Sequence, residues 1–333
     1  MTEQIKQKAL EIGFDLVGVT DASPIPAEHV NHLVGWLNAG HAGTMSYMHR
    51  NLDKRTNPAK LLPGAQSVIV VGLNYKPSQQ PTPEMSQDDG RGRIAAYACY
   101  EDYHPFIKKQ LRKLVDFLVD TTGHGLKFKI CVDSSPLLER ALAVRAGLGF
   151  IGKNHALVNP RLGPQILLGE IITNLELKSE IDAQRRPEQG ARRVEGPVPK
   201  SEIDSECDSC SKCLSACPTG ALGNDGSFDA TKCISYLTIE SKAEIPADLT
   251  PKIGNHLFGC AECLLACPYQ HSAPSCANKE FVFHPDRAEL DLNEVINLTE
   301  DEFHSRFANS PILRAGLSHL QRTARICLEN LRS

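Results

Sequence analysis

The sequence predicts an α+β fold, and three features carry the prediction. Over residues 1–178, short β-branched runs alternate with amphipathic helical stretches, as expected for a sheet with helices packed on it. Residues 179–206 are charged, rich in Pro and Gly and almost free of large apolar side chains, which reads as a linker or surface loop. All but three of the 12 cysteines then crowd between Cys207 and Cys276, ahead of a polar, helical segment over 277–333.

The first element is helical: MTEQIKQKALEIGFD places apolar residues at helical spacing and leads into a strand around Leu16–Val19. SVIVVGL (67–73), bounded by Pro63-Gly64 and Asn74, reads as a buried strand. Residues 79–92 form a polar loop. Residues 105–121 form a helix with Phe106, Leu111, Leu114, Val115 and Leu118 on one side. FKICVD (128–133) is a second buried strand. Residues 136–147 form a helix, with Pro136 in its first turn and Gly147 ending it. QILLGEIITNLEL (165–177) is a strand pair or one long strand. Beyond 276, DLNEVINLTEDEFHSRF and SPILRAGLSHLQRTARICLENLRS read as helices.

Composition narrows the class. The chain has 333 residues, with 41% hydrophobic and 23% charged, which suits a globular protein with a large core. Its 36 Lys+Arg against 40 Asp+Glu give a net charge of −4, so the molecule as a whole is not a basic nucleic-acid coat. No run of about 18 apolar residues occurs, so no membrane span or membrane partner is expected. The N-terminus lacks the apolar core of a signal peptide, and a cytoplasmic location is expected. In that compartment thiols stay reduced, so clustered cysteines mean metal or catalysis. Cys99, Cys131 and Cys327 are scattered and read as small buried hydrophobes.

The clustered cysteines have a specific order. Cys207-x2-Cys210-x2-Cys213-x3-Cys217-Pro218 is the bacterial ferredoxin run, whose fourth cysteine ligates the other cluster. Cys260-x2-Cys263-x3-Cys267-Pro268 repeats it, with Leu257 where a first cysteine should stand. Cys233 is the natural replacement and Cys276 the other nearby candidate. The assignment is Cys207, Cys210, Cys213 and Cys267 for one 4Fe–4S cluster, and Cys217, Cys233, Cys260 and Cys263 for the other. Two zinc sites are the competing reading, disfavoured by the third cysteine and the terminal proline. Two such clusters form a wire for single electrons, which must end at a partner protein or a second cofactor.

Other motifs are weaker. Gly147-x-Gly149-x-x-Gly152 has dinucleotide-fingerprint spacing but follows a helix, so it reads as a tight turn into Lys153-Asn154. Asp133 ends a strand just before a helix. It is either an N-terminal cap or, where a dry pocket raises its pKa, a general acid. Arg55 could bind an anion. His104, His155, His256 and His271 lack the spacing of a metal site, and no Asp-x-His-x-x-Gly segment is present.

Several of these segments together resemble the epoxyqueuosine reductases, iron–sulfur and cobalamin enzymes of tRNA queuosine synthesis. The similarity is carried by KRTNPAKLLPGAQSVIVVGLNY (54–75), EDYH (101–104), VDSSPLLERALAVRAGLGFIGKN (132–154), LGEIITNLEL (168–177), CPTGAL (217–222), CISYLTIE (233–240) and IGNHLFGCAECLLACP (253–268). The resemblance implies an N-terminal α/β cobalamin-binding reductase domain over 1–178 and a two-cluster ferredoxin-like domain over 207–276. It implies Asp133 as proton donor, and Arg55, Asp133, Leu157, Leu168 and Ser235 as cobalamin contacts. The implied reaction reduces the epoxide of epoxyqueuosine at the wobble base of tRNA, fed by a low-potential electron donor. A reductive dehalogenase-like enzyme and a plain electron-transfer protein are the alternatives. Since net charge is negative, tRNA must meet a local basic face, for which Lys232, Arg306, Arg314, Arg322, Arg325 and Arg332 are candidates. Arg314, Arg322 and Arg325 would share one side of a helix opened by Ser310-Pro311. Arg185, Arg186, Arg192 and Arg193 are the alternative.

Overall fold

The computed structural model describes residues 1–78, 90–123, 125–179, 207 and 209–332. The linker expected after Ser179, its four arginines and most of the polar loop from 79 lie outside the described residues.

A four-stranded sheet organises the first half. Its strands are β1 (Leu16–Asp21), β2 (Ser67–Asn74), β4 (Phe128–Cys131) and β7 (Ile166–Thr173), in the order β1-β2-β7-β4. All three pairings are antiparallel, with Ser67 opposite Asp21 and Thr173. Residues 165–177 therefore supply one strand, not two. Every residue of β2 is buried. Ile69, Val71 and Leu73 face one core with Ile5, Ala9, Ile107 and Leu111, from helices α1 (Thr2–Ile12) and α4 (Tyr103–Thr122). Val68 and Val70 face a second core with Leu142, Ala143 and Ile172, against α5 (Glu139–Arg145). Helices on both faces explain why this strand reads as an unbroken apolar run although its sheet is antiparallel. Between them in the chain lie α2 (Ala27–Asn38) and the short α3 (Leu52–Arg55).

The helix expected from Pro136 starts three residues later, at Glu139. Tight turns, Ser134 N to Val132 O at 2.6 Å and Leu137 N to Ser135 O at 2.8 Å, take up residues 132–137 instead. After α5 the chain makes the expected turn through Gly147 (φ 76°) and Gly149 (φ 154°) into hairpin β5 (Phe150–Ile151) and β6 (Leu157–Val158). A Cβ on Gly149 would sit 2.2 Å from Val158 O, so the turn admits only glycine.

A three-stranded sheet joins parts of the chain far apart in sequence. β3 (Arg91–Ile94) pairs in parallel with β8 (His256–Phe258), which precedes the second cysteine motif, and antiparallel with β9 (Glu289–Asp291). Ile94, Leu257, Phe258 and Leu290 form a third core with Phe303, Phe307, Leu320 and Ala324 of the C-terminal segment. That segment is not one helix. Pro311–Arg314 is a single 3-10 turn, Gly316 (φ 81°) breaks it, and the helix Leu317–Leu331 follows. No described helix is long and apolar enough to cross a membrane.

Candidate active site

The two cysteine motifs fold alike. Cys213 lies in the one-turn helix Lys212–Ser215 and Cys263 in Glu262–Leu265, and these helices pack on each other. Cys233 and Cys267 each stand at a helix N-cap with nearly the same backbone, ψ 126° and 127°. Leu257 is fully buried in β8, so the position without a cysteine is a core position.

Charge interactions sort the thiols into two groups. Burial pushes Cys213 and Cys267 up, and each also feels Cys207 and Cys210. Burial pushes Cys260 up to about 12, with Cys233 and Cys217 adding to it. Cys263 rises for the same reasons, feels Cys260, Cys233 and Cys217, and also feels Cys213, so the groups adjoin. Thiols that raise one another's pKa suit a cationic iron centre, whose charge would relieve the repulsion. Cys276 stands apart, with Asp15 and Tyr100 as its charged or polar neighbours. The turn after β5 reaches both motifs: Lys153 Nζ donates to Cys210 O at 3.1 Å and Asn154 Nδ2 to Cys263 O at 3.3 Å.

Asp133 lies at the end of β4 with a left-handed φ of 51°. Its side chain caps no helix. Asp133 Oδ2 accepts from Tyr103 Oη at 2.8 Å, contacts His104 Nε2 at 3.0 Å, and lies 3.5 Å from Arg314 Nη1. His104 Nδ1 meets Asp102 Oδ1 at 2.7 Å, and Arg314 Nη1 is 2.5 Å from His104 Nε2. Burial alone would raise the Asp133 pKa, but His104, Tyr103 and Arg314 hold it below the usual carboxylate range. A raised Asp133, expected if its pocket were simply dry, is therefore not what this arrangement produces. Burial would lower His104, but hydrogen bonds to Asp102 and Asp133 raise it. Arg314 opposes that rise, so the two carboxylates outweigh both burial and the guanidinium.

Behind Asp133 lie two further carboxyls. Asp133 N donates to Glu139 Oε1 at 2.5 Å. Burial, then the Asp133 charge, pushes Glu139 up to about 8. Glu170 on β7 is fully buried, and its carboxyl meets that of Glu139. Burial and the neighbouring Glu139 raise its pKa well above the ordinary value, so it is a neutral acid.

Comparison with known proteins decides the family. The family described as "Epoxyqueuosine reductase QueG, DUF1730" matches residues 55–134, and "4Fe-4S double cluster binding domain" matches residues 206–270. An epoxyqueuosine reductase of Pseudomonas aeruginosa is 35% identical over 330 residues, which is 99% of this chain and 85% of that protein. The chain belongs to the epoxyqueuosine reductase family. A solved epoxyqueuosine reductase holding an epoxyqueuosine-modified tRNA-Tyr stem loop superposes with a TM-score of 0.85 at 30% identity, over 99% of this chain and 81% of that one. The Bacillus subtilis epoxyqueuosine reductase, with its catalytic aspartate loop swung out of the active site, gives a TM-score of 0.84 at 29% identity, over 99% and 81%.

In this epoxyqueuosine reductase fold the other expected contacts fall as follows. Arg55 is buried at the end of α3, its Nη2 donates to Tyr47 O at 3.3 Å, and its Nε has no partner. Tyr47 feels Glu240, Asp133, Arg314 and Arg55, so these groups surround one place. Leu157 is buried in β6, and the half-buried Leu168 of β7 packs on the same core. Ser235 Oγ accepts from Cys260 N at 2.9 Å, beside the second thiol group. An orphaned guanidinium nitrogen, an apolar pair of leucines and a hydroxyl beside the cysteine motif suit a large amphipathic cofactor. Sequence reasoning missed Tyr103, Asp102, Arg314, Glu139 and Glu170 as site residues, and gave His104 no role. EDYH and the Glu of PLLER were visible motifs, but only the fold brings them to Asp133.

The basic face is corrected by the structure. Arg314 points at Asp133 and belongs to a turn separate from the helix of Arg322 and Arg325. Arg322 donates to Ser241 O, Ala243 O and Leu237 O at 3.0, 2.5 and 2.7 Å, so it braces the chain internally. Arg306 pairs with Glu294 at 3.2 Å and Lys232 with Asp229 at 3.3 Å. Arg325 and Arg332 are exposed.

Proposed function

We propose that this chain reduces epoxyqueuosine to queuosine at the wobble position of tRNA, with electrons passing through two 4Fe–4S clusters to cobalamin. The observation that carries this reading is the near-full-length match to epoxyqueuosine reductases, one of them solved with a modified tRNA stem loop. The reaction takes two electrons and two protons and releases the epoxide oxygen as water. Cys207, Cys210, Cys213 and Cys267 would hold one cluster, and Cys217, Cys233, Cys260 and Cys263 the other. Arg55, Asp133, Leu157, Leu168 and Ser235 would hold cobalamin. When bound, that cofactor supplies low-valent cobalt, a strong nucleophile and reductant.

The chain's own part is the proton and the base. Asp133, ionised at rest, relays to the departing oxygen a proton taken up from His104, whose Nε2 lies 3.0 Å from the same Oδ2. Asp102 holds the ring in line, and Arg314 keeps the carboxylate charge balanced. The substrate base leaves its stack to reach this site. Exposed arginines such as Arg325 and Arg332 meet phosphate, so binding weakens as salt rises.

The test is an anaerobic preparation assayed for iron, sulfide, cobalt and bound corrinoid, then for conversion of epoxyqueuosine in tRNA by nucleoside analysis. Conversion with cobalt present is expected. Iron without cobalt and no conversion would favour a plain electron carrier, and dehalogenation without conversion the halide enzyme.

A further inference from the structure

Asp133 adopts a backbone conformation that non-glycine residues sparsely populate, so its surroundings must hold it there. The main-chain turns at 132–137 close the loop on itself, and the bond from Asp133 N to Glu139 Oε1 ties it to α5. Glu139 in turn has nowhere to go. It faces Asp133 on the loop, Glu170 on β7, Cys131 on β4, Arg55 on α3 and Arg140 beside it. Glu170 is fully buried with its carboxyl against that of Glu139, which is a costly placement for a group that only packs.

We propose that Glu139 is a positioning residue: its carboxyl oxygen latches the Asp133 loop inward through the Asp133 amide, and the buried Glu170 carboxyl seats Glu139 beneath it. The proposal deepens the reading of Asp133 as proton donor and rests on it. With the latch closed, Asp133 Oδ2 stays within reach of Tyr103 and His104. With the latch open, the loop leaves the left-handed conformation and the carboxyl loses both partners. The effect falls on the chemical step, because Glu139 lies behind the loop rather than beside the substrate.

The test compares the full chain, loaded with its clusters, as wild type, Glu139→Gln and Glu139→Leu. Gln keeps a carbonyl acceptor, whereas Leu keeps the volume and loses the acceptor. Hydrogen exchange over 132–138 should be about wild-type in Gln and roughly tenfold faster in Leu. Single-turnover kcat should stay within about threefold in Gln and fall on the order of 100-fold in Leu, with KM for tRNA nearly unchanged. Wild-type exchange in Leu, or exchange in Gln as fast as in Leu, overturns the proposal. If Glu139→Leu takes up no iron, Glu170→Leu replaces it. Exchange about fivefold faster is then expected, and wild-type exchange overturns the proposal. A fully active Asp133→Asn alongside faster exchange in Glu139→Leu would remove the proton-donor reading and leave the latch standing.

Discussion

At Asp133 a half-exposed carboxylate is ionised in a site that needs protons, and His104 supplies the resolution. His104 Nε2 lies 3.0 Å from Asp133 Oδ2, so a proton from the imidazole can pass through the carboxylate to the departing oxygen. Replacing Asp133 by Asn should leave both clusters intact and lower single-turnover rate about 10²–10⁴-fold, the contribution of a general acid. An active Asn variant would leave His104 as the donor. The same residues set the pH dependence of stability. His104 has a raised pKa, so its contribution is full below its ordinary value of 6.5 and is lost as pH rises through its folded value. Glu139 binds its proton more tightly when folded, so stability falls from pH 4.5 up to about 8 and is flat beyond. Anaerobic melts should therefore show Tm declining across this range, and Glu139→Gln should flatten the decline. An unchanged slope would mean that Glu139 titrates normally.

Among the elements, the C-terminal segment departs furthest from its sequence reading. Its apolar spacing suggests one helix with three arginines on one side, but Gly316 turns the chain and divides them. The 3-10 turn before the break sends Arg314 to the Asp133 site, and the helix after it uses Arg322 against three carbonyls. Arg322→Glu would leave those carbonyls unpaired and set a negative charge among them. It should destabilise the chain by about 2–3 kcal/mol, read as a fall in the melting temperature. Arg325→Glu should leave melting unchanged and flatten the salt dependence of tRNA binding. Equal melting of the two variants would return Arg322 to the surface. The β5–β6 hairpin is the counterpart at the cluster side, since Lys153 and Asn154 tie its turn to both cysteine motifs.

Across the described residues, the two thiol groups and the Asp133 site are joined through shared elements. β3, β8 and β9 make one sheet from three distant segments, and Lys76 Nζ reaches Gln270 O and Ala273 O just past Cys267. Electron transfer requires fixed spacing, and these contacts provide it. Anaerobic protein should contain about eight irons per chain, from two clusters of four. Cys233→Ala should lose about half of that iron, whereas Cys276→Ala should keep all of it. The reverse result would exchange the roles of those cysteines.

The sequence by itself determined that the cysteines form two ferredoxin-like motifs, because that spacing and the proline that follows are set over a few residues. It also determined β2 and α4, whose apolar periods are long enough to be unambiguous. It pointed to Asp133 through a strand end followed by a helix start. Only the tertiary structure decided the charge state of Asp133, since that depends on His104, 29 residues away by number, and on Arg314 from the far end of the chain. It alone decided that the main sheet is antiparallel, because strand pairing is a long-range choice that local alternation does not encode. It alone set Glu139 and Glu170 side by side, where burial and like charge turn two ordinary surface-type residues into acids that hold their protons.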